Sequence, residues 1–240
     1  MNPLSWEHRT PKEVLAHWKT SETTGLSEKE AAKRQSTYGK NELEHKKPES
    51  LFVSFLNQMK DFMIITLLIA ALISFLVSYL QGRIDLVEPA IILAIVILNA
   101  VLGVFQEARA RRSLEALKEL SAPLALCLRD GVTKQIEASA LVPGDIILLE
   151  AGHLVPADAR LLTSLSLSVE ESALTGETHP VEKNVKSLTD KTASLADKTN
   201  MVFAGTIVVG GSGTAVVTAT GMQTELGRIA DLISSETPPD

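Results

Sequence analysis

Two uncharged apolar runs constrain this chain more than any other feature. Phe62–Leu80 is 19 residues long and Pro89–Phe105 is 17, against the ~20 residues a helix needs to cross a bilayer. Leu86 and Val87 extend the second run, with Glu88 at its edge. Neither run has a polar face, so a pair of buried core helices is the weaker reading. Only Gln81-Gly82-Arg83-Ile84-Asp85 separates them, which predicts a transmembrane hairpin. Lys40, Lys46, Lys47 and Lys60 precede the first run, and Arg109, Arg111 and Arg112 follow the second. The connection holds Arg83 alone, so positive-inside bias puts both ends in the cytoplasm. Gln106 to Leu120 contains no proline or glycine, and Ala110, Leu114 and Leu117 recur at helical spacing. Arg111 and Glu115, four apart, are placed to pair on the outer face. A single helix over 86–119 would reach ~50 Å, well beyond a ~30 Å hydrocarbon core. The surplus predicts a cytosolic stalk, ended by Pro123.

The rest of the chain reads as cytosolic. Its net charge of −6 and the absence of a basic stripe argue against a nucleic-acid partner. One cysteine, Cys127, excludes an intramolecular disulfide and any cysteine-based metal site. His8, His17, His45, His153 and His179 show no ligand spacing. Residues 1–50 lack the basic and apolar regions of a signal peptide. Thr10-Pro11-Lys12-Glu13 opens a helix to about Lys19. Ser27-Glu28-Lys29-Glu30 repeats the capping-box logic, with Gly39 as the stop. Glu44 to Ser50 reads as a linker.

Residues 124–221 read as β. Ala125–Arg129 and Lys134–Ile136 flank Asp130-Gly131, a strong hairpin signal. Asp145–Leu149, Ala159–Leu162, Met201–Ala204 and Ala215–Ala219 are further strands, which together predict a small sandwich or distorted barrel. Lys183–Asn200 reads as a polar surface loop, Gly210-Gly211-Ser212-Gly213 as a flexible turn between strands, and Thr224–Ser234 as a closing helix. Asp145 and Asp158 are expected to bond backbone N–H groups at turns, and His153 is a local loop residue. The fold class is therefore a mixed membrane protein. It has a two-helix transmembrane hairpin with a long helical stalk, a small all-β jelly-roll or sandwich domain, and short N-terminal helices. The boundaries are 1–50, 51–80, 86–120, 121–234 and a linker at 235–240.

Within the β region, Ser172-Ala173-Leu174-Thr175-Gly176-Glu177-Thr178-His179-Pro180-Val181-Glu182-Lys183 carries the chemistry. Gly176 lets the chain turn sharply and push the Glu177 carboxylate outward. Leu141-Val142-Pro143-Gly144-Asp145 and Val155-Pro156-Ala157-Asp158 precede it in order. Together these resemble the actuator domain of P-type cation-transporting ATPases, whose loop usually reads Thr-Gly-Glu-Ser. Gly25-Leu26-Ser27, Tyr38-Gly39-Lys40-Asn41-Glu42-Leu43, Leu98-Asn99-Ala100, Gln106-Glu107 and Thr224-Glu225-Leu226-Gly227-Arg228-Ile229 extend the resemblance over nearly the whole chain. The pattern is most similar to the calcium-pump branch, of which this looks like the first quarter.

The resemblance implies that Glu177 positions and deprotonates the water that hydrolyses an aspartyl phosphate. Thr175, Gly176 and Thr178 would shape its loop, Thr178 keeping the hydroxyl of the commoner serine. ATP and Mg2+ are implied for the complete pump and no cofactor or metal for this stretch. The partners implied are the lipid bilayer, the remaining phosphorylation, nucleotide and transmembrane domains, and a transported cation, Ca2+, in a cell membrane. Asp190-Lys191-Thr192 and Asp197-Lys198-Thr199 look like the family's phosphorylation motif but do not continue with Gly-Thr, so neither is expected to accept a phosphoryl group. Gly210–Gly213 lacks the lysine and helix of a phosphate-binding loop. Glu88 and Asn99 do not identify the ion. The competing class is a non-enzymatic, membrane-anchored β-module that binds or regulates a partner.

Overall fold

The computed structural model describes residues 5–43, 50–80, 87–120, 123–190 and 192–235. They form two compact units, one of residues 1–45 with 122–240, the other of residues 46–121.

In the first unit, α1 (Pro11–Trp18) and α2 (Glu28–Tyr38) begin where the caps predict. Thr10 Oγ1 accepts the Glu13 N–H and the Glu13 carboxylate accepts the Thr10 N–H, a complete capping box. The expectation for α2 is only half met. Ser27 Oγ accepts the Glu30 N–H at 3.2 Å, but the Glu30 carboxylate takes Arg34 instead, at 3.0 Å. Asp130 supplies a further acceptor to the Glu28 N–H.

The strands are β1 (Leu124–Arg129), β2 (Val132–Glu137), β3 (Ile146–Glu150), β4 (Asp158–Glu170), β5 (Val181–Glu182), β6 (Met201–Val202) and β7 (Ile207–Ala219). All pairings between them are antiparallel, in the order β2-β1-β3-β7-β4-β5 with β6 also on β4. The hydrogen bonds thus join one seven-stranded sheet rather than two separate ones. Asp130 and Gly131 both take positive φ, 49° and 73°, as a two-residue hairpin turn requires.

Period-two alternation separates two cores. Ile147, Leu161, Ala215 and Val217 join Leu141, Leu149, Val169 and Val208 in the larger one. Their neighbours Ile146, Leu162 and Val216 point the other way, where Val14 of α1, Trp6 and Trp18 cover them.

Two sequence expectations fail here for identifiable reasons. Gly210–Gly213 is not a turn but the middle of β7, paired with β4 across register shifts. The glycines are there because β4 passes close by: a Cβ on Gly211 would lie 2.2 Å from the Ser166 carbonyl oxygen, and one on Gly213 would lie 2.6 Å from that of Thr163. Nor is Lys183–Asn200 purely a surface loop. Asn200 is fully buried and its Nδ2 donates to the carbonyls of Glu7 (2.8 Å) and Lys186 (2.7 Å), while Lys183 is buried in the site described below.

A buried charge pair anchors this unit. Arg129 donates through Nε to Asp145 Oδ1 (2.9 Å) and through Nη2 to Oδ2 (2.6 Å), and also to the Ala140 carbonyl. Asp145 additionally accepts the Val142 N–H. Glu28, half-exposed, joins Arg129 at 3.2 Å and Lys134 at 3.0 Å, tying α2 to the hairpin.

Asp158 works over a longer range than a turn. Its two oxygens accept the N–H groups of Ala204 and of Glu225, the first residue of α7 (Glu225–Ser235), each at 2.8 Å. Burial pushes its carboxyl up to about 6 even though both donors pull it down. The folded chain therefore holds this proton more tightly than the unfolded chain, where a carboxyl titrates near ~3.9. Asp158 contributes stability that is fully present below about pH 4 and lost as the pH rises through about 6. Asp158→Asn does not titrate there, so its denaturation midpoint should gain on the parent's between about pH 4 and pH 7. A gap independent of pH contradicts the assignment.

The second unit is helical. The expected 51–80 helix is two, α3 (Leu51–Gln58) and α4 (Phe62–Leu80), because Asp61 restarts the chain by accepting the Met63 N–H at 2.9 Å. α5 spans Val87–Leu120 without interruption. Ile64 and Ala71 of α4, and Val96 and Ala100 of α5, are buried, whereas Phe62, Ile69, Ile91, Leu98 and Phe105 are exposed. Large apolar side chains thus lie outward on both helices. Among the described residues one helix, Pro89–Ala110, is long and apolar enough to cross a membrane, and Phe62–Val77 is a shorter apolar helix. The expected connection at 81–85 lies outside the described residues, as do the side chains of Glu88, Arg111, Leu114, Glu115 and Leu117.

Candidate functional site

β4 delivers the chain to the loop. After Glu170 it makes a single helical turn, α6 (Ser172–Thr175), rather than the simple turn expected. The Glu171 carbonyl accepts three bonds, from the N–H groups of Leu174 (2.9 Å) and Thr175 (3.0 Å) and from Thr175 Oγ1 (3.1 Å). Gly176 ends the turn at φ 77°, its N–H on the Ser172 carbonyl. No atom lies within 4 Å of where a Cβ would sit, so the left-handed backbone, not crowding, selects glycine here. The Glu177 N–H then bonds back to Thr175 Oγ1 at 3.2 Å. Residues 176–180 are all exposed. The chain re-enters the sheet through β5, where Val181 pairs with Val169 and Glu182 with Ser168.

Thr175, Gly176 and Glu177 are thus one local device: the threonine hydroxyl links the turn to the glutamate, and the glycine reverses the chain. Thr178 lies beside Glu177 on the exposed tip. An exposed carboxylate on such a tip can reach a group on another surface, and a single carboxylate suffices as a base for water.

Two residues that sequence reasoning missed lie under the loop. Glu171 and Lys183 have fully buried side chains and meet at 2.5 Å, Nζ to Oε1. Lys183 also sits over the Phe203 ring, 5.8 Å from its centroid. Its backbone is fixed to β4: its N–H donates to the Leu167 carbonyl and its carbonyl accepts Ser164 Oγ, both at 2.8 Å. Burial pushes the Glu171 carboxyl up and the Lys183 ammonium down, and the opposite charge of each partner offsets this. Charged side chains are almost never buried unless paired. The only sequence signal was a carboxylate immediately before the Ser172–Lys183 segment and the lysine at its end.

Other candidates resolve into structural roles. Asp190 Oδ1 accepts the N–H and hydroxyl of Thr192, and Asp197 Oδ2 those of Ser194, so both make local turns. The Cys127 thiol is buried, and burial pushes it up, away from nucleophilic or ligand chemistry. No three His, Cys, Asp or Glu side chains converge as a metal site among the described residues.

Residues 119–234 match the P-type ATPase actuator domain, and residues 6–74 match the cation transporter/ATPase N-terminus. The chain carries a P-type ATPase actuator domain preceded by a cation transporter/ATPase N-terminus. It is 47% identical over 93% of its length to a calcium-transporting ATPase of Bacillus subtilis (strain 168), covering 24% of that protein. A calcium-transporting ATPase of Listeria monocytogenes is 45% identical over 88% of the chain, with 23% of its own length covered. An endoplasmic reticulum-type calcium-transporting ATPase of Arabidopsis thaliana is 43% identical over 95%, again with 23% covered. The chain spans about a quarter of the length of these curated relatives.

Proposed function

We propose that this chain acts as the membrane-entry and actuator part of a calcium-transporting pump, and that Glu177 is its catalytic group. The observation that carries the reading is the exposed Glu177 carboxylate, held on a Thr175-Gly176 turn inside an actuator-domain match. In the hydrolytic step, Glu177 takes a proton from water as the water oxygen attacks phosphorus. The bond from phosphorus to the acyl oxygen breaks, which releases inorganic phosphate and restores the aspartate. The aspartate, ATP and Mg2+ belong to parts of the pump outside this chain. Asp190 and Asp197, both engaged in turns, do not accept the phosphoryl group.

In this reading Phe62–Leu80 and the apolar part of α5 form a two-helix hairpin in a cell membrane, with the remainder of α5 as a stalk. Both termini face the cytoplasm. Fusing reporters at Asn2 and Asp240 should give cytoplasmic signals from both, and signals from opposite sides would rule out two spans.

The relatives' names favour a pump over a non-enzymatic module. Replacing the matching quarter of the Bacillus subtilis protein with this chain tests the point. The chimera should give ATP-dependent uptake of labelled calcium into inverted vesicles. A folded, membrane-inserted chimera that takes up none overturns the proposal.

A further inference from the structure

Nothing in the hydrolytic step uses Glu171 or Lys183, yet they occupy the two ends of the loop that carries Glu177. Glu171 holds the turn through its carbonyl, which fixes Leu174 and Thr175, and Thr175 in turn holds the Glu177 N–H. Its side chain points inward and ends on Lys183, whose own backbone is bonded to β4. Between these points lie the α6 turn, an exposed tip and the short β4–β5 pairing that returns the chain to the sheet. We propose that the buried Glu171–Lys183 pair is a brace that closes the base of the loop and aims Glu177, making both residues positioning residues for the hydrolytic step. A brace fits the chemistry, because a base a fraction of an ångström out of line with its water loses much of its effect.

The inference rests on the role given to Glu177 for its consequence in turnover, but not for its structural core. Two experiments separate these. Glu171→Gln/Lys183→Met removes both charges at similar volume, and methionine keeps a contact with the Phe203 ring. In the 240-residue chain in detergent, amide hydrogen exchange is compared between this double variant and the parent. Leu174 and Thr175 should exchange on the order of tenfold faster, as local opening allows, while Val217 in the core keeps its protection within about twofold. Loop amides that do not change, or that change only in step with Val217, overturn the brace.

In the pump chimera the same double variant should form phosphoenzyme at the parent's rate and lose it on the order of tenfold more slowly, the effect of a misaligned base. Glu177→Gln is measured beside it. If Glu177→Gln slows the decay and the double variant does not, the positioning role fails while the function stands. If Glu177→Gln decays like the parent, the proposed function fails, and the exchange measurement still decides whether the brace exists.

Discussion

Arg129→Met should lower the unfolding free energy of the sheet unit by about 3–5 kcal/mol, the largest loss expected from a single substitution outside the hydrophobic cores. Asp145 is fully buried and would lose both guanidinium bonds, keeping the neutral Val142 N–H but no charged partner among the described residues. An uncompensated buried carboxylate, not the lost attraction itself, supplies most of that cost. Two comparisons make the assignment testable by denaturant titration. Glu28→Gln weakens a half-exposed branch of the same network and should cost no more than about 1 kcal/mol. Arg129→Met/Asp145→Asn removes both charges and should recover much of the loss. Equal costs for Glu28→Gln and Arg129→Met would show that the network is not organised around Asp145.

The features legible in the sequence were those fixed by neighbouring residues. Thr10 and Glu13 cap a helix over three positions, and Asp130-Gly131 sets a hairpin over two, so local rules suffice for both. Thr175-Gly176-Glu177 was legible for the same reason: its geometry depends on one hydroxyl and one left-handed glycine. What could not be read depended on partners distant in sequence. Gly211 and Gly213 look like a flexible turn until Thr163 and Ser166 of β4 pass beside them. β4 and β7 run 13 residues each because each stabilises the other, beyond what the apolar segments Ala159–Leu162 and Ala215–Ala219 suggest. Asp158 was rightly expected to bond backbone, but its targets, Ala204 and Glu225, lie 46 and 67 residues away. Lys183 reads as the start of a polar stretch, and only its burial against Glu171 and Phe203 shows its role.

On the proposed mechanism Glu177 removes a proton from the hydrolytic water. Glu177→Gln takes away the base and keeps the side-chain size, and the backbone bond to Thr175 does not depend on the carboxylate. Thr178→Ser retains the hydroxyl and serves as a control expected to be nearly silent. In the pump chimera, a pulse of labelled ATP followed by an unlabelled chase measures formation and loss of phosphoenzyme separately. Glu177→Gln should form phosphoenzyme normally, with decay slowed by about 100- to 10,000-fold and calcium uptake abolished. Decay as fast as the parent's would contradict it and leave Thr175-Gly176-Glu177 as a turn without a catalytic role.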